Sequence, residues 1–243
     1  MSEAKLKVLA IGNSFSQDAT AYLHDFAKSA GVGMQVVNLY IGGCSLQTHW
    51  ENAVSGEKLY LYEKNGVSTE EYVSVGDTLD SEDWDFVTLQ QQSSRSVDYG
   101  TYNPYLKNLS RFVGEKAPCA EQVIFQTWAY EENSEIIFEK TPYKKQIDMF
   151  GALERAYYKA AAELGDLRII PGGKAFQNAM AEGFYELFRD TFHASIPHGR
   201  YLLSAVWFET LTGISAEEAN FNPQIENAEF FRRIAHETVS NLK

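Results

Sequence analysis

The stretch that decides the fold is KVLAIGNSFSQDA, residues 7–19. Its first half is a short apolar run with β-branched residues, bounded by turn formers, which is typical of a strand buried on both faces. The chain then passes through Gly12, Asn13 and Ser14 into a segment with apolar residues at helical spacing, which ends at Gly31. The stretch therefore predicts a strand, a tight turn and a helix, with Ser14 at the carboxyl end of the strand.

Similar apolar runs recur along the chain and alternate with helical patterns. Four more strands are predicted, at 34–41, 85–91, 122–128 and 167–171. The clearest helix is predicted from Tyr143 to Leu164, with Ile147 and Phe150 on its apolar stripe and Gly165 at its end. Alternating strands and helices are typical of parallel β-α-β units, so we predict a doubly wound, mainly parallel five-stranded sheet with helices on both faces.

Residues 57–75 show a different pattern, in which alternating residues flank Asn65-Gly66. This dipeptide is the strongest short-range hairpin signal, so we predict a β-hairpin inserted beside the main sheet. No linker, internal repeat or low-complexity tract divides the chain, and we expect one domain over residues 1–243.

Composition and charge restrict the partners of the protein. The chain has 243 residues, 44% of them hydrophobic, and a formal net charge of −12, which repels nucleic-acid phosphates and anionic lipid surfaces. We expect no nucleic-acid or membrane partner.

Two cysteines are too few for a disulfide framework, and the first residues lack the pattern of a signal peptide, so a cytoplasmic location is expected unless a leader has been removed. The sequence leaves the oligomeric state open.

Ligands of open α/β sheets bind at the carboxyl ends of the strands. Residues 12–16 (GNSFS) follow the first predicted strand, residues 42–45 (GGCS) the second and residues 90–94 (QQQSS) the third. Asp190 and His193 lie three residues apart on a predicted loop, where a carboxylate can hold one imidazole nitrogen while the other faces a hydroxyl.

Each of these residues also has a simpler interpretation. Ser14, Ser16 and Asp18 are residue types that cap helices, and Asp190 is as well. For any single residue the capping interpretation is the stronger one. The chain contains neither a G-x-S-x-G elbow nor a phosphate-binding G-x-x-x-x-G-K-[ST] loop.

Taken together, the segments resemble the SGNH hydrolases, also called GDSL-type esterases and lipases. The similarity lies in ordered blocks: GNSF at 12–15, NLYIGGCS at 38–45 and the D-x-x-H pair of Asp190 and His193. Further stretches, such as LQQQSS at 89–94, resemble a poorly characterised branch that includes domains of unknown function. The resemblance implies a three-layer α/β/α flavodoxin-like sandwich, with Ser14 as nucleophile, His193 as base and Asp190 as the group that orients the base.

The third block departs from the family pattern. Where many members have G-x-N-D, this chain has Gln90-Gln91-Gln92-Ser93. A glutamine amide offers the same donors as asparagine on a longer stem. The resemblance thus implies an oxyanion hole made by the N–H groups of Ser14 and Gly43 and the amide of Gln92. Asn13, Gln90 and Trp128 are predicted to line the substrate site.

The function predicted from this resemblance is hydrolysis of a short acyl ester, acetyl by preference, on a carbohydrate through an acyl-enzyme. No cofactor and no metal are expected. Five aromatic residues are predicted at strand ends or loops near the site, where they would suit sugar rings or equally be ordinary core residues: Trp50, Tyr99, Tyr102, Trp128 and Tyr130.

Two other functions stay open at this point. One alternative is a non-catalytic carbohydrate-binding or regulatory protein on the same scaffold, which the departure of Gln90–Ser93 from the family pattern leaves open. The other is a flavodoxin-like nucleotide-binding protein, which the predicted topology also permits. Cys44 is expected to be a buried hydrophobe and not a nucleophile. His24 and His49 are expected to be packing or surface residues, and His198 to lie in the first turn of a helix after Pro197.

Overall fold

The computed structural model describes residues 5–132 and 134–242 of the chain. Its centre is a seven-stranded sheet with the order β4-β3-β2-β1-β5-β6-β7. In chain order the strands are β1 (Leu6–Gly12), β2 (Met34–Tyr40), β3 (Tyr60–Lys64), β4 (Val67–Val73), β5 (Phe86–Leu89), β6 (Glu121–Phe125) and β7 (Ile169–Ile170).

The number of strands corrects the prediction of a five-stranded sheet. Five strands are parallel, and all five were predicted, but the hairpin of β3 and β4 pairs antiparallel with β2 and so extends the same sheet. Asn65 and Gly66 form its turn, both with positive φ. Asn65 Oδ1 accepts a hydrogen bond from Val36 N at 3.0 Å, which ties the turn to β2.

Helices cover both faces of the sheet. They are α1 (Ser14–Thr20), α2 (Leu23–Ser29), α3 (Leu46–Ser55), α4 (Val75–Asp80), α5 (Tyr105–Lys116), α6 (Glu135–Lys140), α7 (Gln146–Glu163), α8 (Gly172–Ala181), α9 (His198–Thr212) and α10 (Ala228–Ser240). On one face α1 and α2 pack against α9, which also contacts α8 and α10. On the other face α3 packs against α4 and α5, so the predicted three-layer α/β/α architecture is confirmed.

The predicted long helix corresponds to α7, which begins three residues later than expected. Ile147 is 57% exposed, which corrects its placement on the apolar stripe. The buried stripe instead runs through Met149, Phe150 and Leu153, because residues three and four apart share a helix face. None of the described helices is both long and apolar enough to cross a membrane.

The position of β1 determines where a ligand site can form. Its neighbours are β2 on one side and β5 on the other, both parallel to it. The chain thus changes direction across the sheet at β1, and a crevice opens at the carboxyl end of such a strand. Ser14 lies two residues after the end of β1, at the beginning of α1.

Candidate active site

Asn13 fixes the turn between β1 and α1. Its Oδ1 accepts a hydrogen bond from Phe15 N at 3.0 Å, and its Nδ2 donates to Cys44 O at 3.0 Å. Asn13 is therefore the N-cap of α1, and it also connects the loops after β1 and β2. This corrects the expectation that Ser16 or Asp18 caps the helix. Ser16 Oγ instead donates to Asn13 O and to Asn38 Oδ1, at 2.8 and 2.6 Å.

Ser14, His193 and Asp190 form one hydrogen-bonded chain. Ser14 Oγ lies 2.8 Å from His193 Nε2, and His193 Nδ1 lies 2.7 Å from Asp190 Oδ2. The Asp190 carboxylate also accepts from His193 N at 2.8 Å, so one side chain holds both the backbone and the ring of His193. With Nδ1 donating to the carboxylate, Nε2 can accept the hydroxyl proton of Ser14.

Electrostatics keep Asp190 in its charged form. Burial raises the pKa of its carboxyl, but the hydrogen bonds from the ring and backbone of His193 outweigh burial, and the net pKa lies below the ordinary value. An ionised carboxylate beside the imidazole stabilises the imidazolium that forms when the ring takes a proton.

Asp18 connects the helix of Ser14 to the loop of His193. Its carboxylate is fully buried and accepts from Arg189 NH1 at 2.8 Å, from Arg200 Nε at 2.9 Å and from Ala194 N at 3.1 Å. Arg189 and Ala194 flank the Asp190–His193 segment. Because Asp18 lies one helical turn after Ser14, these bonds fix the distance between α1 and that segment.

Three further donor groups belong to residues that line the cavity beside Ser14: the N–H groups of Ser14 and Gly43 and the side-chain amide of Gln92. The N–H groups of Ser14 and Gly43 donate to no other group in the described part of the chain. Gly43 has φ of +64°, a left-handed conformation that favours glycine. Gln92 Oε1 accepts from Ser94 Oγ at 2.8 Å and from Arg95 N at 3.1 Å. Because a backbone N–H can only donate, the atom bonded to Arg95 N must be the amide oxygen of Gln92. The amide nitrogen, Nε2, takes no part in these two bonds.

Ser14 lies at the base of a cavity of about 270 Å³. Asn13, Gly43, Gln92 and His193 line this cavity. Its remaining wall includes residues that the sequence did not single out: Tyr40, Ile136, Lys140 and Phe192. Tyr40 is the last residue of β2, whereas the sequence predicts that this strand continues to residue 41, so Tyr40 was not among the strand-end residues considered. Lys140 and Ile136 lie on α6, a short helix with no distinctive sequence pattern.

Two residues predicted to line the substrate site lie behind it. Gln90 is buried, and its Nε2 donates to Asn13 Oδ1 at 2.9 Å. Trp128 is fully buried between Phe15 and Phe176, with ring centroids 4.1 and 5.0 Å away. Both side chains are therefore buried beneath the site and are not among the residues that line the cavity.

The other predicted aromatic residues divide in the same way. Tyr130 lines the cavity, whereas Tyr102 is buried and Tyr99 lines a neighbouring cavity. Trp50 is half-buried in α3 and lines neither cavity. A larger cavity, of about 670 Å³, lies beside the start of β7 between α7 and α9 and contains none of the predicted site residues.

The side chains of Cys44 and His49 form a buried cluster next to the site. Cys44 Sγ lies 3.4 Å from His49 Nδ1, which also lies 2.8 Å from Tyr60 Oη. Burial raises the pKa of the Cys44 thiol to about 12 and lowers that of His49 to about 3. His49 is thus a packing residue, as expected, but with polar partners that the sequence did not reveal. His198 begins α9 after Pro197, which confirms its predicted place.

Within residues 5–132 and 134–242, no three His, Cys, Asp or Glu side chains are placed to hold a metal ion.

Comparison with known proteins places the fold among SGNH hydrolases. Residues 7–238 match the family described as "Domain of unknown function (DUF4886)". A DUF4886 family protein from Bacteroides uniformis is 34% identical, with a TM-score of 0.90, over 98% of this chain and 94% of that one. A protein from Slackia heliotrinireducens assigned to the SGNH hydrolases is 25% identical, with a TM-score of 0.63, over 86% of this chain and 100% of that one.

A more distant similarity extends to an enzyme that acts on carbohydrate esters. The family 3 carbohydrate esterase of Clostridium thermocellum is 13% identical, with a TM-score of 0.52, over 85% of this chain and 94% of that one. At this identity the match shows a shared fold. No curated protein sequence matches the chain.

Proposed function

Because this chain belongs to the DUF4886 family and has the fold of the SGNH hydrolases, we propose that it is a serine esterase. Its substrate is a short acyl ester, acetyl in the simplest case, on a carbohydrate. The observation that carries the proposal is the hydrogen-bonded chain from Ser14 Oγ through His193 to Asp190. A serine hydroxyl is a weak nucleophile, and a base in reach that is itself oriented by a third group is what activates it.

The reaction begins with attack of Ser14 Oγ on the ester carbonyl while His193 Nε2 takes the hydroxyl proton. The carbonyl oxygen becomes an oxyanion, for which the N–H groups of Ser14 and Gly43 and the Nε2 of Gln92 are the available donors. A preorganised donor of this kind lowers the barrier by roughly 3 kcal/mol. His193 then gives its proton to the leaving alcohol, and Ser14 keeps the acyl group.

The second half of the reaction releases the acid. A water molecule gives a proton to His193 Nε2 and attacks the acyl carbonyl, and the proton returns to Ser14 Oγ as the carboxylic acid leaves. Asp190 stays ionised throughout and stabilises the imidazolium in both halves. Apart from the ester and this water molecule, each step uses only side chains and backbone groups of the chain.

The size and lining of the cavity support a short acyl group on a polar alcohol. About 270 Å³ is below the usual range of small-molecule sites, which favours a short acyl group beside Ser14. Tyr40, which is half-buried at the end of β2 and lines the cavity, offers aromatic surface with a polar end, which suits the ring and hydroxyl groups of a sugar.

Acetate release from 4-nitrophenyl acetate and from a panel of acetylated sugars tests the proposal. We expect hydrolysis by the native protein, loss of at least 10³-fold in Ser14→Ala, and little change in Ser81→Ala, which alters an exposed serine away from the cavity. Sugar binding without hydrolysis would instead support the non-catalytic carbohydrate-binding function. Equal hydrolysis by the native protein and Ser14→Ala would overturn the assignment of the nucleophile.

A further inference from the structure

A second cavity, of about 460 Å³, adjoins the cavity above Ser14. Lys140 lines both of them. The loop after β5 separates them, because Gln92 and Ser93 face the first cavity and Ser94 and Arg95 face the second. A substrate bound at Ser14 can therefore extend past Ser93 and Lys140 into the second cavity.

The second cavity carries two cations that lack a counter-ion. Across the described part of the chain, neither Arg95 nor Lys140 forms an ion pair. Asp98 is the one carboxylate among the residues that line this cavity, and its Oδ1 accepts from Gly100 N at 2.8 Å. The lining thus has one more positive than negative charge, in a protein whose formal net charge is −12.

We infer that the second cavity is a subsite for an anionic group on the alcohol part of the substrate. This inference rests on the proposed esterase function and narrows its substrate to an acylated saccharide that carries a carboxylate or a phosphate. The planar guanidinium of Arg95 suits either group, because it can donate two parallel hydrogen bonds to a carboxylate or phosphate. Lys140 lies between the subsite and the nucleophile, where it holds the charged alcohol close to the acyl group.

The backbone of Arg95 already has a separate part in the site. Its N–H donates to Gln92 Oε1, which leaves the guanidinium uninvolved in the orientation of Gln92. Replacing only the side chain therefore tests the subsite and leaves this backbone bond in place. Lys144 provides a matched control, because it is exposed, lies close in sequence to Lys140 and lines neither cavity.

Ligand binding measured by calorimetry tests the subsite without hydrolysis. The three probes share one sugar: methyl glucoside, methyl glucuronoside and methyl glucoside 6-phosphate. We expect an anionic probe to bind roughly tenfold more tightly than the neutral one, and Arg95→Gln to remove that difference while Lys144→Gln retains it. The tighter of the two anionic probes identifies the charged group. Equal binding of all three probes, or none, would overturn the inference, as would an anion preference that survives in Arg95→Gln.

Hydrolysis of the acetylated forms of the same probes separates the two proposals. We expect the ratio of kcat/KM for the anionic ester to that for the neutral ester to fall about tenfold in Arg95→Gln and in Lys140→Gln. If the native protein cleaves the esters with no preference for charge, the subsite is refuted and the esterase stands. If it binds the anionic probe through Arg95 and cleaves no ester, the esterase is refuted, and the second cavity stands as an anion-binding site but not as a subsite for an ester substrate.

Discussion

Asp18→Asn tests how the helix that begins at Ser14 holds the loop that carries His193. The substitution keeps the size of the side chain but removes its charge. It also replaces one carboxylate oxygen, which accepts a hydrogen bond, with an amide nitrogen, which cannot accept one from Arg189 or Arg200. Removing one partner of a buried ion pair costs about 3–5 kcal/mol, because the other charge stays behind without a counter-ion. The two arginine side chains are 30% and 21% exposed, so water screens part of this cost. We expect unfolding free energy to fall by about 3 kcal/mol.

The same substitution is expected to impair catalysis well below the unfolding temperature. Asp18 accepts from Arg189 and from Ala194 N, on either side of the Asp190–His193 segment, so its loss releases the restraint on His193. A misplacement of about 1 Å between base and nucleophile costs roughly 10²-fold in rate. We therefore expect kcat for 4-nitrophenyl acetate to fall by about that factor.

Urea unfolding and steady-state kinetics on the same preparation provide the assay. Glu182→Gln is the control, because it breaks an ion pair with Arg233 that is exposed and distant from the cavity. The control is expected to change both quantities far less. A loss of stability in Asp18→Asn with unchanged kcat would refute the view that Asp18 positions His193.

Three further perturbations follow from the same structure. Asp190→Asn should lower kcat by roughly 10³–10⁴-fold with the protein still folded, since the imidazole loses the carboxylate that orients it; retained kcat would exclude a role for Asp190. Gln92→Ala should lower kcat by about 10²–10³-fold with a smaller effect on KM, and an effect on KM alone would exclude Gln92 from the oxyanion hole. His49 has a pKa of about 3 in the folded protein because of burial, against about 6.5 in an unfolded chain. Between pH 6.5 and 3 the unfolded chain protonates His49 while the folded protein keeps it neutral. The free energy of unfolding is therefore unaffected by His49 above pH 6.5 and falls by roughly 1.4 kcal/mol per pH unit below it, down to pH 3. Urea unfolding from pH 7 to 4.5 should show a smaller loss of stability in His49→Gln, and an unchanged loss would contradict this assignment.

The sequence predicted the parts of the site that depend on local patterns. The rule that ligands bind at the carboxyl ends of parallel strands limits the site to three short segments, and the resemblance to the SGNH hydrolases selects Ser14, Gly43 and Gln92 within them. The same resemblance selects the Asp190-x-x-His193 pair, and the structure shows that this spacing lets one carboxylate bond both the ring and the backbone of the histidine.

Contacts between distant segments could not be predicted in this way. Ser14 and His193 are 179 residues apart, and their meeting depends on the packing of α9 against α1 and on the bonds of Asp18. Trp128 follows a strand, like a site residue, but only the packed rings of Phe15 and Phe176 show that it belongs to the core.

The hairpin shows the same limit at the level of the sheet. The Asn65-Gly66 turn predicts that two strands pair with each other, but not which third strand they join. That partner is β2, and the pairing depends on the Asn65 side chain and on backbone bonds formed only in the folded chain.

The most direct test of the central claim is covalent labelling by a fluorophosphonate, followed by mass spectrometry of the peptides. A serine activated by an oriented base forms a stable adduct with this reagent, whereas an ordinary capping serine does not. We expect one adduct per chain, located on Ser14, with labelling strongly reduced in His193→Ala. An unlabelled Ser14 in the folded native protein, or an adduct formed equally well without His193, would contradict the account.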